Sequence, residues 1–321
     1  AFGYQALSAE TIGHAATAFG DRALGLQNKA SDANTRNTGV GFFAGYNNVT
    51  GIDNTYVGFE AGKGGTGNNS YNTALGSLAL NAVTTGSNNT VMGRAAADAL
   101  TTGANNTIIG DSALGTATTA TENIVMGGDA MVGVPASVAL TGCVAIGQKA
   151  FVGSASTTTG ANYTVAVGYE ALNDLTTGAQ NTAVGAHCAD NITTGGYNTA
   201  VGKSALATLT TGSNNVVVGR AALSTADGGE TSNVALGTGA MSAVDEGASH
   251  NADANIAIGY NALVGGTLTD GNLSHNIAIG YEALDATGAN DQLGTIAIGY
   301  AALGALTSGA GNVAVGYTAA S

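Results

Sequence analysis

A five-residue phrase of the form Asn-Thr-Ala-Val-Gly, followed three residues later by Ala, recurs along the whole chain of 321 residues. Of the seventeen intervals between its closing glycines, nine are 17 residues long, none is shorter, and the longest is 22. A short repeat that tolerates insertions but no deletions indicates stacked coils with extra residues in loops at one corner. The eighteen closing glycines, called here the repeat glycines, are Gly3, Gly20, Gly41, Gly58, Gly76, Gly93, Gly110, Gly127, Gly147, Gly168, Gly185, Gly202, Gly219, Gly237, Gly259, Gly280, Gly299 and Gly316.

The residues before each repeat glycine follow a strand pattern. A β-branched residue stands three places before the glycine, an apolar residue one place before it, and usually Ala between them, as in Val165, Ala166 and Val167. Alternation with period two in β-branched residues predicts a β-strand, with the β-branched residue facing the core. Ala and Leu at the third and fourth places after the glycine, and then a Thr-Thr-Gly turn, complete the repeat. About 17 residues suit two short strands and two turns.

Asparagine stands four places before the repeat glycine in thirteen of seventeen copies, including Asn72, Asn89, Asn106, Asn198 and Asn276. Parallel strands stack at about 4.8 Å, a spacing at which asparagine amides hydrogen-bond to one another. We therefore predict a structural asparagine ladder. The repeat glycines, for example Gly76, Gly93, Gly110, Gly185, Gly202, Gly280 and Gly316, are likewise interpreted as structural.

Phrases such as Asn276-Ile277-Ala278-Ile279-Gly280 resemble the head repeats of trimeric autotransporter adhesins of the YadA type. The form Asn-Thr-Ala-Val-Gly-x-x-Ala-Leu, at residues 198–206, is also similar to repeats of phage tail-fibre proteins and bacterial adhesive fibres. The resemblance implies a left-handed parallel β-roll, assembly of three chains into a homotrimeric rod, and attachment to another cell. Residues 1–321 then form one repetitive β-roll segment. Because both ends fall within a repeat and no cap is visible, we expect a segment of a longer fibre.

The composition limits the kinds of partner that the chain is expected to bind. The net charge is −13, from 21 acidic and 8 basic residues, so the surface repels phosphate backbones and anionic lipid, and we expect neither nucleic acid binding nor membrane insertion. No apolar run approaches the roughly 18 residues of a membrane helix. The two cysteines occupy different places in their repeats, which argues against a bond between them. Cys188 stands where the other repeats place Ala and is predicted to be a small buried apolar residue.

The sequence motifs give little support for a catalytic or cofactor-binding site. Gly62-x-Gly64-x-x-Gly67 matches a dinucleotide fingerprint, but no helix is expected after it. The four histidines, His14, His187, His250 and His275, are scattered singly without metal-ligand spacing. We therefore predict a protein that is not an enzyme and has no cofactor and no metal.

The long intervals between Gly237 and Gly299 leave an alternative open. They carry oxygen-rich loops that could hold Ca²⁺, although the Gly-Gly-x-Gly-x-Asp signature of calcium rolls is absent. The relevant side chains are Asp245, Glu246, His250, Asp253, Asp270 and His275.

Tyrosine follows the repeat glycine in six copies, including four consecutive ones at Tyr260, Tyr281, Tyr300 and Tyr317. Stacked coils would align these rings. One interpretation is a groove that contacts the sugar rings of a surface glycan, and the other is a packing stripe that stiffens the rod. The packing stripe is favoured.

The predicted function is the structural rod of a trimeric extracellular fibre that mediates attachment to a cell-surface glycan or receptor. A bacterial surface adhesin and a virion tail fibre both fit. The alternatives are non-enzymatic solenoids that bind calcium or ice. Ice binding requires flat threonine arrays, but the β-branched place is Thr in only eight of seventeen copies and is predicted to face the core.

Overall fold

The computed structural model describes residues 1–12, 15–29, 34–153, 160–226, 228–244, 252–265, 272–287 and 291–321. Over these residues the chain is all-β, without a helix, and forms a parallel β-solenoid of about 16 turns. The predictions of an all-β class and of stacked repeats are thus confirmed. In the described part of the chain no helix is present that could cross a membrane.

The chain divides into two compact units, Ala1–Tyr163 and Thr164–Ser321. In unit 1 every strand pairs in parallel with the next strand along the chain. Equivalent repeat positions lie opposite each other, so that Thr73, for example, pairs with Thr90. Its strands are β1 (Thr17–Phe19), β2 (Thr38–Val40), β3 (Thr55–Val57), β4 (Thr73–Leu75), β5 (Thr90–Met92), β6 (Thr107–Ile109), β7 (Ile124–Met126) and β8 (Val144–Ile146).

Unit 2 repeats this arrangement with nine three-residue strands in one parallel ladder and three two-residue strands in another. The first ladder contains β9 (Val165–Val167), β10 (Thr182–Val184), β11 (Thr199–Val201), β12 (Val216–Val218), β13 (Val234–Leu236), β14 (Ile256–Ile258), β16 (Ile277–Ile279), β18 (Ile296–Ile298) and β20 (Val313–Val315). The second contains β15 (Leu273–Ser274), β17 (Gln292–Leu293) and β19 (Gly309–Ala310).

The prediction of two strands per coil is wrong for most described coils, which contain one. After the repeat glycine the backbone alternates between ordinary and left-handed conformations, with φ of 61° at Leu78 and 52° at Leu80. The N–H groups of the two left-handed residues point to opposite neighbours: Leu78 N donates to Phe59 O of the coil before (2.8 Å), and Leu80 N to Ala96 O of the coil after (2.9 Å). The coils are therefore hydrogen-bonded here without strand geometry.

The predicted orientation of the strands is also wrong. The middle residue of each three-residue strand is buried, whereas the β-branched residue before it and the apolar residue after it are partly or fully exposed. In β4, for instance, Ala74 is buried and its neighbours Thr73 and Leu75 face outward. The core is completed by the leucine four places after the repeat glycine, such as Leu80, which is fully buried. A small residue is favoured on the strand because these leucines fill the narrow interior.

The repeat glycines are required by their backbone. Gly93 has φ of 137°, a conformation that residues with a side chain avoid. A Cβ at this position would also overlap the carbonyl oxygen of Gly110 in the next coil. The other repeat glycines share this φ, between 130° and 145°. At the repeat glycine the next coil therefore leaves no room for a side chain.

Neither cysteine forms a disulfide, and both are buried. Cys188 occupies the alanine position of its coil, and burial raises the pKa of its thiol to about 12. Its predicted role as a small buried residue agrees with this position.

Candidate functional site

One surface recurs in both units, namely the outward side of the three-residue strands, called here the outer strand face. It consists of the residues one and three places before each repeat glycine. The place immediately before the glycine is apolar in all eighteen copies, and neither place carries a charged residue. Exposure is substantial at Leu75 (42%), Met92 (46%) and Val218 (39%). A row of partly or fully exposed apolar side chains therefore follows consecutive coils within each unit.

Threonine forms the second row of this face in unit 1. Six consecutive strands present threonine outward, and their pairing in register places each residue beside the next. These residues are Thr17, Thr38, Thr55, Thr73, Thr90 and Thr107. In unit 2 the row consists mainly of Val and Ile, with Thr at 182 and 199.

The predicted asparagines lie together inside the solenoid. Asn72 Nδ2 donates to Asn54 Oδ1 (3.2 Å), Asn89 Nδ2 to Asn72 Oδ1 (3.1 Å), and Asn106 Nδ2 to Asn89 Oδ1 (2.9 Å). In unit 2 the equivalent bonds include Asn198 Nδ2 to Asn181 Oδ1 (3.1 Å).

Each amide in the ladder has a second partner. Asn89 Nδ2 also donates to Gly103 O (3.0 Å), and its Oδ1 accepts the backbone N–H of Asn106 (3.1 Å). Because these side chains are buried and their polar atoms are paired, the ladder fixes the register of the coils. In unit 1 it passes from Asn123 to Cys143, whose backbone N–H donates to Asn123 Oδ1 (2.9 Å) but whose side chain has no amide.

The four consecutive tyrosines form a continuous stack. Ring centroids are 5.1 Å apart for Tyr260 and Tyr281, 5.0 Å for Tyr281 and Tyr300, and 5.0 Å for Tyr300 and Tyr317, with planes within 15° of parallel. Both faces of Tyr281 and Tyr300 are therefore covered by neighbouring rings. No sugar can stack on those two rings, so at Tyr281 and Tyr300 only the ring edges and hydroxyl groups are open to a partner.

The structure brings together three ionisable residues, of which the sequence interpretation named only His187. His187 Nδ1 lies 3.3 Å from Glu170 Oε2 and 3.4 Å from Asp190 Oδ2. The side chains are partly exposed, at 40% for His187, 20% for Glu170 and 24% for Asp190. Burial raises the pKa of Asp190, although His187 opposes this shift. Glu170 and His187 are 17 residues apart, at the same place in consecutive repeats, and this register was the signal in the sequence.

Part of the candidate calcium loops lies outside the described residues, namely Asp245, Glu246, His250 and Asp270. Asp253 is described, and its Oδ1 accepts hydrogen bonds from the backbone N–H (2.7 Å) and the hydroxyl group (3.0 Å) of Thr231. His275 is exposed, and its backbone N–H donates to Asp253 O (3.1 Å). These contacts give Asp253 a structural role between coils.

No protein-family model matches the chain, and no curated protein matches its sequence significantly. What the fold defines is a repetitive parallel β-solenoid.

Proposed function

We propose that this chain is the structural rod of a homotrimeric extracellular fibre that mediates attachment to a cell surface, as a bacterial adhesin or a virion tail fibre. The observation that carries the proposal is the outer strand face, with two uncharged rows, one of them apolar throughout, repeated coil after coil in both units. Large exposed apolar surfaces mark sites of association. The role needs no catalysis.

A second copy of the chain is the partner that best fits this face. The exposed rows recur at the spacing of the coils, so a surface that matches them along their length must repeat with the same spacing. Another copy satisfies this condition without any further component. Closed symmetric assemblies of identical chains are also the most common oligomers. The number three comes from the resemblance to YadA-type head repeats.

The assembly is tested by measuring its mass in solution. Sedimentation equilibrium of the purified chain should give three times the chain mass of 31.0 kDa. The variant Leu75→Lys/Met92→Lys places two charges on the outer strand face and should dissociate the assembly, since burying an unpaired charge at an interface is costly. The matched control, Thr85→Lys/Thr102→Lys, adds the same charge at exposed turn positions and should leave the mass unchanged. A monomeric or dimeric parent chain would contradict the proposal.

Attachment is tested separately, by binding of the fluorescently labelled chain to glycan arrays and to intact cells. Saturable binding supports the role in attachment. Absence of binding to both the glycan arrays and the cells would contradict the role in attachment, and only the proposed structural role as a rod would remain. Because the tyrosine stack offers ring edges and hydroxyl groups, Tyr281→Phe removes one hydroxyl without disturbing the stack and reports whether these groups take part.

A second candidate function is ice binding, favoured by the six consecutive threonines that face outward in unit 1. Their outward orientation removes the objection that the threonines point into the core. The neighbouring row of bulky residues, including Phe19, Leu75 and Met92, makes the face uneven, which is why this function ranks second. A thermal-hysteresis assay decides: a measurable depression of the freezing point, lost in Thr73→Tyr/Thr90→Tyr, would establish it.

A further inference from the structure

We propose that Glu170, His187 and Asp190 form a binding site for a divalent transition-metal ion such as Zn²⁺. The ligand atoms are Glu170 Oε2, His187 Nδ1 and Asp190 Oδ2, and within the described part of the chain this is the one group of three or more such residues whose ligand atoms converge. The site is independent of the proposed role as a fibre.

The distances suit an ion at the centre. The ligand atoms all lie within 4.8 Å of one another, and His187 Nδ1 is 3.3 and 3.4 Å from the two carboxylate oxygens. Zinc bonds to nitrogen and oxygen of about 2.0–2.2 Å in a tetrahedron place neighbouring ligands about 3.3–3.6 Å apart. The two measured separations fall in this range, so a small closing movement of the carboxylates completes the set.

The ligands are held by the solenoid backbone. Glu170 and His187 occupy the same turn position in consecutive coils, and both have φ of 52°. The backbone N–H of His187 donates to Tyr169 O (2.9 Å), and Asp190 O accepts from Asp174 N (3.0 Å). The Tyr169 ring packs edge-to-face against the imidazole, with centroids 5.2 Å apart. Ligands on such a rigid scaffold lose little conformational entropy when an ion binds.

The chemistry of the donors selects the class of ion. An imidazole with two carboxylates is a ligand set for Zn²⁺, Mn²⁺ or Co²⁺, whereas Ca²⁺ and Mg²⁺ take oxygen ligands. Nδ1 carries at most one hydrogen, so a proton bonds strongly to one carboxylate at a time, whereas an ion bonds to both. The nearby carboxylate of Asp174 adds negative charge. Partial exposure of all three side chains lets an ion enter and leaves room for water to complete the coordination shell.

The test is isothermal titration of the full, untagged chain with ZnCl₂ after treatment with chelator. We expect saturable binding of one ion per chain at this site. The variant His187→Asn keeps a residue that tolerates the left-handed backbone, and Asp190→Asn preserves shape while removing the charge. Each should weaken Zn²⁺ binding by at least about tenfold, since loss of even an outer-shell partner typically costs 10–100-fold. Circular dichroism of both variants establishes that they fold.

The control is His275→Asn, which removes an exposed histidine at another turn and should leave binding unchanged. Co²⁺ supplies a second readout, because a protein-bound ion gives visible absorption that His187→Asn should abolish. Absence of saturable Zn²⁺ binding would overturn the proposal. So would binding that survives in both His187→Asn and Asp190→Asn, or an equal loss in His275→Asn.

Discussion

The ring of Tyr56 fills the space that a side chain on Gly62 would need. Tyr56 stands in the middle of β3, where most coils have alanine, and is fully buried, with its hydroxyl group donating to Asn69 Oδ1 (2.7 Å). A Cβ on Gly62 would overlap the Tyr56 ring. Gly62 occupies the place that holds Leu80 in the next coil. In this coil the large side chain is therefore on the strand and the small residue in the turn, which is the reverse of the common arrangement and keeps the core filled.

This exchange predicts a rescue. Tyr56→Ala should reduce the free energy of unfolding by about 3–5 kcal/mol, the usual cost of removing a large aromatic side chain from a core. Gly62→Leu alone should also destabilise, because the ring blocks the new side chain. The double variant restores the common pattern of alanine and leucine, and chemical denaturation should show it to be more stable than either single variant. Simple additivity of the two losses would contradict this explanation.

A second prediction concerns the repeat glycines. Gly93→Ala should destabilise by at least about 1–3 kcal/mol from backbone strain alone, with a further loss from overlap with the next coil. Gly128→Ala is the matched control, since a Cβ at Gly128 would meet no atom within 4 Å. Thermal unfolding should show a large fall in Tm for Gly93→Ala and little change for Gly128→Ala. Equal effects would remove the role assigned to the repeat glycines.

The asparagine ladder gives a third prediction. Asn89→Ala removes four hydrogen bonds made by the side chain, two donated and two accepted. With about 1–3 kcal/mol for each buried group left without a partner, the expected loss is about 3 kcal/mol or more. Asn191→Ala, at an exposed turn, should change stability by less than about 0.5 kcal/mol. Urea denaturation of the two variants makes the comparison.

A fourth prediction uses pH. Burial raises the pKa of Asp98 above its ordinary value of 3.8, so the folded state binds its proton more tightly than the unfolded chain does. The stability that this proton contributes is complete below the unfolded pKa and is lost as pH rises through the raised folded pKa. Asp98→Asn should therefore increase Tm at pH 7, with the increase disappearing near pH 3.

The control for this pH dependence is Asp111→Asn. Asp111 is exposed and pairs with Arg94 (2.7 Å), so its replacement should cost at most about 1 kcal/mol at pH 7. A stability gain at pH 3 as large as that at pH 7 for Asp98→Asn would show that titration of Asp98 is not the cause.

Spacing was sufficient to predict the solenoid, because a repeat of fixed minimum length can bury its apolar residues by stacking on copies of itself. It also placed Asn72 and Asn89 in contact. The orientation of the strands could not be obtained in the same way. Alternation with period two is unchanged when inside and outside are exchanged, so Thr73, Ala74 and Leu75 fit either orientation. The choice depends on the size of the interior, which leucines from the turns occupy.

The candidate site shows a similar limit. Glu170 and His187 are in register in the sequence, and stacking alone places their backbones side by side. Convergence of Asp190 on the same nitrogen depends on the path of the turn after His187, which no simple periodicity describes. The second strand predicted for each coil failed for the same reason, since the alternating left-handed residues form hydrogen bonds that resemble neither strand nor helix.

The place immediately after the repeat glycine has a consequence for design. Most of its residues are exposed, and the tyrosines there are held about 5 Å apart by the backbone of successive coils. Because the glycine and not the following side chain sets this interval, the position is open to replacement. A cysteine or a charged residue introduced at chosen copies would be displayed in a line, at multiples of a fixed molecular distance, within one unit.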